Sequence, residues 1–183
     1  MAENGLTEIP APPYTQVVMR RPNLLLPPIV APEGYAVRLH REDQDAALAE
    51  VLSAAFPDYR WTVDLVRSRL TKAEDVEAVY VATYADEPVA TASARVAPGQ
   101  WGQSGYVHWV GAHPAHRGKG LGRLVTLRVL RHFAEAGRTD AVLETDDERL
   151  HAIRIYLELG FVPEPSRPGH AERWEAILRA LRG

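Results

Sequence analysis

Apolar residues along the chain follow two periods, and the switches between them mark its elements. Tyr35, Val37 and Leu39 alternate with Ala36, Arg38 and His40, which predicts a half-buried strand. Ala47, Leu48, Val51, Leu52 and Ala55 then share a helical face, so a helix is expected over residues 43–56, ended by Pro57. Thr62 is placed to cap a second, short helix carrying Leu65, Val66 and Leu70. Two strands over 78–84 and 89–96 read as a hairpin through the turn 85–88. A strand over 105–112 leads into a glycine-rich turn, and helical spacing resumes through Leu124, Leu127, Leu130 and Ala134 until Gly137. A strand at 141–145, a helix over 150–159 stopped by Gly160, and a last helix with Trp174, Ile177, Leu178 and Leu181 on one side complete the pattern.

Seven of the fourteen prolines fall in the first 34 residues, at 10, 12, 13, 22, 27, 28 and 32, and break any period there. Proline lacks the amide a helix interior or a central strand needs, so neither is expected in this arm. Residues 1–34 read as a proline-rich arm laid over a domain of residues 35–183, with 14–19 its one strand-like piece. Residues 1–12 read equally well as a loose tail. The element order predicts an α/β fold: one mixed, mostly antiparallel central sheet flanked by helices, antiparallel because short turns join its middle strands. The strands on either side of the 120–135 helix should pair in parallel.

Composition narrows the chemistry. The 183 residues, 46% of them apolar, suit one domain with a proper core. With 21 basic and 24 acidic side chains the net charge is -3, which carries no nucleic-acid footprint. The absence of cysteine excludes disulfides, thiolate metal sites and a cysteine nucleophile. The first residues are acidic, and no apolar run approaches the roughly 18 residues of a membrane span, so a cytoplasmic protein without membrane contact is expected. Arg20-Arg21 precedes Leu24, Leu25 and Leu26, but Pro22, Pro27 and Pro28 interrupt any export-signal reading.

The stretch "HPAHRGKGLG", residues 113–122, opens the 120–135 helix. A phosphate-binding Gly-x4-Gly-Lys-Ser/Thr loop fails at His113 and Gly120. A dinucleotide fingerprint matches Gly118 and Gly120 but places Arg123 at its third glycine, with Glu144 left as a candidate ribose ligand. Arg-x-x-Gly-x-Gly is satisfied by Arg117, Gly120 and Gly122, where free amides and the helix dipole can face a diphosphate without magnesium. From 88 to 134 there is no Asp or Glu, while Arg95, Arg117, Lys119, Arg123, Arg128 and Arg131 supply positive charge; the last two of that helix also read as a solvated face. His113 and His116 are three apart, yet Pro114 prevents the helix that would align them, so no metal is expected.

"WVGAHPAHRGKGLG", a helix, and then "LETDDERLHAIRIYLELGF" together resemble the acetyl-CoA-binding half of the GNAT superfamily of N-acyltransferases. The motifs cover residues 105–163, and the element order extends the likeness back to Tyr35. The resemblance implies that Val110 and Ala112 offer main-chain groups to pantetheine as a strand would, and that Arg117, Gly118, Lys119, Gly120, Leu121, Gly122 and Arg123 take the pyrophosphate. It further implies direct transfer of acetyl from acetyl-CoA to a primary amine, with Tyr156 as the acid. A departing thiolate of pKa about 8.5 needs a proton, and a phenol of about 10 still holds one at neutral pH. Tyr156 also fits a packing role beside Ala152 and Leu159.

The chain departs from the family pattern in three places. Arg149 stands where an asparagine is usual, no glutamate base precedes the turn, and Pro163, Pro165 and Pro168 occupy the region of a closing strand. The amine's proton is then left to His108, to a water on Glu144 or Asp146, or to solvent. Asp147 and its neighbours read as complementing the start of the Tyr156 helix, and Trp101 and Trp109 as either acceptor pocket or core. The partners expected are a small-molecule or peptide amine acceptor, with a homodimer admissible and no nucleic acid or membrane. A non-catalytic acyl-CoA-binding module and a nucleotide-dependent oxidoreductase are the competing readings.

Overall fold

The computed structural model describes residues 16–182. Seven strands form one sheet in the order β2-β3-β4-β5-β6-β1-β7: β1 Val17–Arg21, β2 Tyr35–Leu39, β3 Val76–Tyr84, β4 Glu87–Arg95, β5 Gly105–Ala112, β6 Ala141–Thr145 and β7 Val162–Glu164. Every neighbouring pair is antiparallel except β5 and β6, which run parallel as the strand-helix-strand reading required. The helices are α1 Asp45–Ala55, α2 Val63–Val66, α3 Pro98–Trp101, α4 Leu121–Glu135, α5 Leu150–Glu158 and α6 His170–Ala180. This is the mixed, mostly antiparallel sheet flanked by helices that the pattern predicts.

Local chemistry explains the boundaries. The Thr62 side chain accepts from the Leu65 amide at 3.2 Å and caps α2. Both α4 and α5 end on a left-handed glycine. Phe161 N donates to Tyr156 O and Gly160 N to Leu157 O, the paired bonds that close a helix at such a residue. The hairpin turn is tighter than the four residues expected: Ala85 and Asp86 alone make it, both at positive φ. Arg38 and Gln44 hold it by donating to the Asp86 carbonyl.

Each face of the sheet carries its own core. On one, Tyr80, Ala82, Ala92, Val107, Met19 and Leu143 pack against α4, α5 and α6. On the other, Val79 and Val81 meet Leu48 and Leu52 of α1, together with Trp61, Val66 and Leu70. A fully buried leucine or phenylalanine stabilises each layer by about 1.5–3 kcal/mol. Side chains alternate across a strand, so β3 feeds both layers.

Part of the proline-rich arm belongs to the sheet. Val17–Arg21 lies inside the sheet between β6 and β7, with Val17, Val18 and Met19 wholly buried, although no central strand was expected there. These five residues contain no proline, so the amides a strand needs are intact. Residues 1–15, including Tyr14 and Thr15 of the strand-like piece, lie outside the described residues. After β1 the segment does lie over the domain: Leu24, Leu26, Ile29 and Ala31 pack on the core, while Leu25 and Val30 are 84% and 78% exposed. Pro163 sits in β7, at the sheet's edge, where a missing amide is tolerated.

Candidate functional site

The site grows from an irregularity in β5. Thr91 pairs with Gly111 and Ser93 with His108, so β5 holds one residue more than β4 between these points. Trp109 takes the extra position at φ +49, and both it and His108 turn toward the α1 face. Trp109 is held there by edge-on contacts with Phe56, Tyr59 and Trp61 at ring-centroid distances of 5.0, 5.8 and 4.8 Å.

Beyond the bulge the sheet parts. The parallel ladder of β5 with β6 covers only Gly105, Tyr106 and Val107 against Ala141, Val142 and Leu143. His113 N donates to Val89 O, so the main chain of His113 and Gly111 faces β4. Strand alternation then turns the main chain of Val110 and Ala112 toward the gap on the β6 side. A Cβ at Gly111 would meet Ala55 and Phe56 at 2.7 and 2.8 Å, which keeps α1 close on that strand.

The glycine-rich turn lies at the end of β5. Gly118 and Gly120 adopt φ +78 and +69, a region open to glycine, and a Cβ at either would meet nothing. The Leu124 amide is the first in α4 to find a helical acceptor, Gly120 O at 3.0 Å. Among the described residues the amides of 118–123 donate to no protein acceptor, which leaves a cluster of N–H groups at the positive end of a fifteen-residue helix. Gly122 is different, since its added Cβ would come no closer than 3.9 Å, to Ile155, and its φ is ordinary. Packing therefore does not demand glycine there.

Charge around the turn divides as the sequence suggested. Arg117, Lys119 and Arg123 are exposed and have no carboxylate partner among the described residues. Arg128 pairs with Glu135 and lies over the Tyr80 ring at 4.4 Å, Arg131 donates to Pro27 O, and Arg95 pairs with Asp75. These residues fit a diphosphate chemically: main-chain donors, bare glycines and unpaired cations converge without an acid.

Tyr156 lies on α5, on the α4 side of the sheet, and is 6% exposed. Its hydroxyl has no hydrogen-bond partner among the described residues, and its ring meets Phe161 at 6.0 Å. Burial pushes the phenol up to about 12, against a smaller lowering from Arg149, so it stays protonated across the neutral range.

On the opposite, α1 face a cleft of about 820 Å³ opens beside the same gap, lined in part by Arg95, Trp101, Tyr106, His108, Glu144 and Arg167. The Tyr106 hydroxyl donates to Glu144 Oε2 at 2.9 Å, and Arg167 pairs with Oε1 at 2.7 Å. Burial and this carboxylate push the Tyr106 phenol up. His108 is a poor base here: burial, then Arg95, holds it down to about 3, and its Nδ1 lies 3.3 Å from Arg95 Nη1.

Trp101 lines the cleft, whereas Trp109 fills the aromatic cluster. Asp147 does not complement α5, because Arg173 of α6 holds both its oxygens at 2.6 and 2.9 Å. Asp146 accepts from Gln16 at 3.0 Å. His113 Nδ1 accepts from the Ala115 amide, and His116 Nδ1 bonds Tyr35 Oη. Sequence reasoning missed Arg167, in a loop beyond the matched stretch, and Tyr106, whose place shows only once Glu144 packs against it.

Among the described residues no helix is long and apolar enough to cross a membrane. A mycothiol acetyltransferase of Frankia casuarinae is 34% identical over 154 residues, covering 75% of this chain and 44% of that protein. The chain thus spans about half the length of the curated relatives it matches. A GCN5-related N-acetyltransferase from Sphaerobacter thermophilus shares the fold at TM-score 0.63 and 22% identity, over 81% of this chain and 48% of that one. The protein yncA of Salmonella typhimurium, in a structure with its cofactor acetyl-CoA, superimposes at TM-score 0.56 and 23% identity over 71% and 80%. The family model of the acetyltransferase (GNAT) family matches residues 38–161, and the chain belongs to that family.

Proposed function

We propose that the protein is an N-acetyltransferase that moves acetyl from acetyl-CoA to a primary amine by direct attack. The observation that carries this reading is the gap past Val107 and Leu143. It joins the glycine turn and Tyr156 on one face to the acceptor cleft on the other.

In this reading the amides of Gly118, Lys119, Gly120, Leu121, Gly122 and Arg123 hold the pyrophosphate, with the Arg117, Lys119 and Arg123 side chains adding charge. Val110 and Ala112 bond pantetheine through their main chains and orient the thioester. A gap-facing amide of this strand steadies charge on the carbonyl oxygen. Tyr156 donates its proton to the departing sulfur, which its high pKa allows at neutral pH. Glu144, its carboxylate held on the cleft wall by Tyr106 and Arg167, accepts a hydrogen bond from the acceptor's amine, and the proton lost by the amine leaves through water rather than through His108.

Two measurements test this. Acetyl-CoA at about a hundredfold over its dissociation constant should stabilise the fold by about 2.7 kcal/mol, while NADH and ATP should not. Release of free CoA thiol should then depend on an added amine. The name of the relatives makes an amine precursor of mycothiol the first acceptor to try. Protection by NADH or ATP alone would overturn the reading; protection by acetyl-CoA without turnover on any amine would leave a binding module in its place.

A further inference from the structure

Arg149 occupies the N-cap position of α5, where its side chain caps nothing. Helix α5 lies on the α4 face of the sheet and α1 on the other. Yet the Arg149 guanidinium carbon lies 4.6 Å from the centroid of the Phe56 ring, at the C-terminal end of α1. The Phe56 ring itself rests on Gly111 of β5. A contact between elements on opposite faces must pass through the plane of the sheet, and the passage is the gap where β5 and β6 have parted. The guanidinium thus spans the place where the two faces of the site meet.

Its surroundings leave it short of an anion. Arg149 is half-buried and has no carboxylate partner among the described residues. Of the three acids just before it, Asp146 accepts from Gln16, Asp147 pairs with Arg173, and Glu148 is exposed to water. The Phe56 face supplies an electrostatic seat but no negative charge. A partly desolvated cation without a counter-ion gains most from an anion that forms beside it. Tyr156 is seven residues further along α5, two turns on and on the same side. It feels the Arg149 charge.

We propose that Arg149 is a catalytic cation: seated on Phe56 in the gap, it faces the thioester sulfur and receives the negative charge of the departing CoA thiolate beside Tyr156. The proposal rests on the acetyl-transfer reading above. In the step, the amine nitrogen bonds the acyl carbon and the carbon–sulfur bond breaks with its electron pair going to sulfur. Sulfur takes the Tyr156 proton, and the proton lost by the amine restores the phenol through water. Arg149 changes no bond; it lowers the energy of the charge while it exists.

Free CoA in complex with the protein tests this without turnover, because the thiolate can be followed by its ultraviolet absorbance during a pH titration. In the wild type the bound thiol should ionise at least tenfold more readily than a free thiol of pKa about 8.5. Arg149→Gln should remove most of that gain, and Arg149→Lys should keep most of it; thermal melts of each variant without ligand confirm folding. Equal ionisation in wild type and Arg149→Gln would overturn the proposal. So would a loss of affinity in Arg149→Gln that is the same for CoA and for CoA lacking its sulfur, with ionisation unchanged, because that pattern marks a phosphate contact. Failure of the wild type to bind CoA at all would overturn the acetyl-transfer reading itself, which separates the two failures.

Discussion

Gly122→Ala separates packing from ligand approach at the glycine turn. In most glycine turns the substitution confounds the two, because a left-handed backbone makes any side chain costly. Gly118 and Gly120 are of that kind, at φ +78 and +69. Gly122 lies in the first turn of α4 with ordinary φ, and an added methyl would meet only Ile155 Cδ1 at 3.9 Å, a normal contact. Its carbonyl would keep the bond from Thr126 Oγ1. Alanine in a helix is better than glycine by about 0.5–1 kcal/mol, so the ligand-free protein should become more stable. At about 2–4 °C per kcal/mol for a chain of this size, the melting temperature should rise by roughly 1–4 °C.

Acetyl-CoA should respond in the opposite direction. If the amides of this turn grip a diphosphate, a methyl at position 122 stands between main chain and ligand, and a tenfold loss of affinity is expected. At a concentration of a hundred wild-type dissociation constants, protection would fall from about 2.7 to about 1.4 kcal/mol. In a thermal-shift assay that is a drop from roughly 5–11 °C to roughly 3–6 °C. A variant that melts higher alone and is protected as fully as the wild type would refute the cradle, because the ligand would then not approach this main chain.

Tyr156→Phe should lower kcat by about 10²–10⁴, the usual weight of a general acid. It should move unliganded stability by less than about 0.5 kcal/mol, because the hydroxyl has no protein partner to lose; an unchanged kcat removes the assigned acid. His108 has a folded pKa of about 3 against 6.5 as its ordinary value. A depressed value contributes stability that is present above about pH 6.5 and lost as pH falls toward 3, so His108→Gln should flatten the acid limb of a stability–pH curve. Gly105→Ala should lower the melting temperature by roughly 2–12 °C, about 1–3 kcal/mol of overpacking, because its methyl would run into the Phe133 ring.

Periodicity located the elements whose side chains repeat long enough to show it. β5 and β6 were expected at residues 105–112 and 141–145 and are found there. Three features were hidden for different physical reasons. The central place of β1 was one: residues 14–19 read as strand-like, but the prolines that flank the strand say nothing about the amides between them. β7 has three residues, too few to show an alternation. The bulge at Trp109 depends on a cage of Phe56, Tyr59 and Trp61, about fifty residues back along the chain, which no local pattern records. The glycine turn was legible because backbone demands are written in residue type: positions 118 and 120 need glycine for φ alone. The cleft was not, because Arg167, Glu144 and Tyr106 meet only after three separate elements have packed.

A single extra residue in β5 links these parts. In an uninterrupted strand the main chain of consecutive residues points alternately to its two neighbours. Were β5 paired with β4 without its bulge, Val110 would sit opposite Thr91 in the place Gly111 holds, and its amide would be spent on the ladder. The insertion shifts this parity by one, which frees the Val110 and Ala112 main chains toward the gap. The same shift turns the residue without a side chain, Gly111, toward Phe56, so that the ring can approach the strand closely where it seats Arg149. It also sends His108 and Trp109 to one face, one into the cleft wall and the other into the cage that holds the bulge. A bulky residue at positive φ costs about 1–3 kcal/mol, and three edge-on ring contacts at about 0.5–1.5 kcal/mol each are enough to offset it. The strain at Trp109 is therefore sustained by the α1–α2 side of the molecule, while its consequence, a strand edge with unpaired donors, is delivered to the gap on the β6 side.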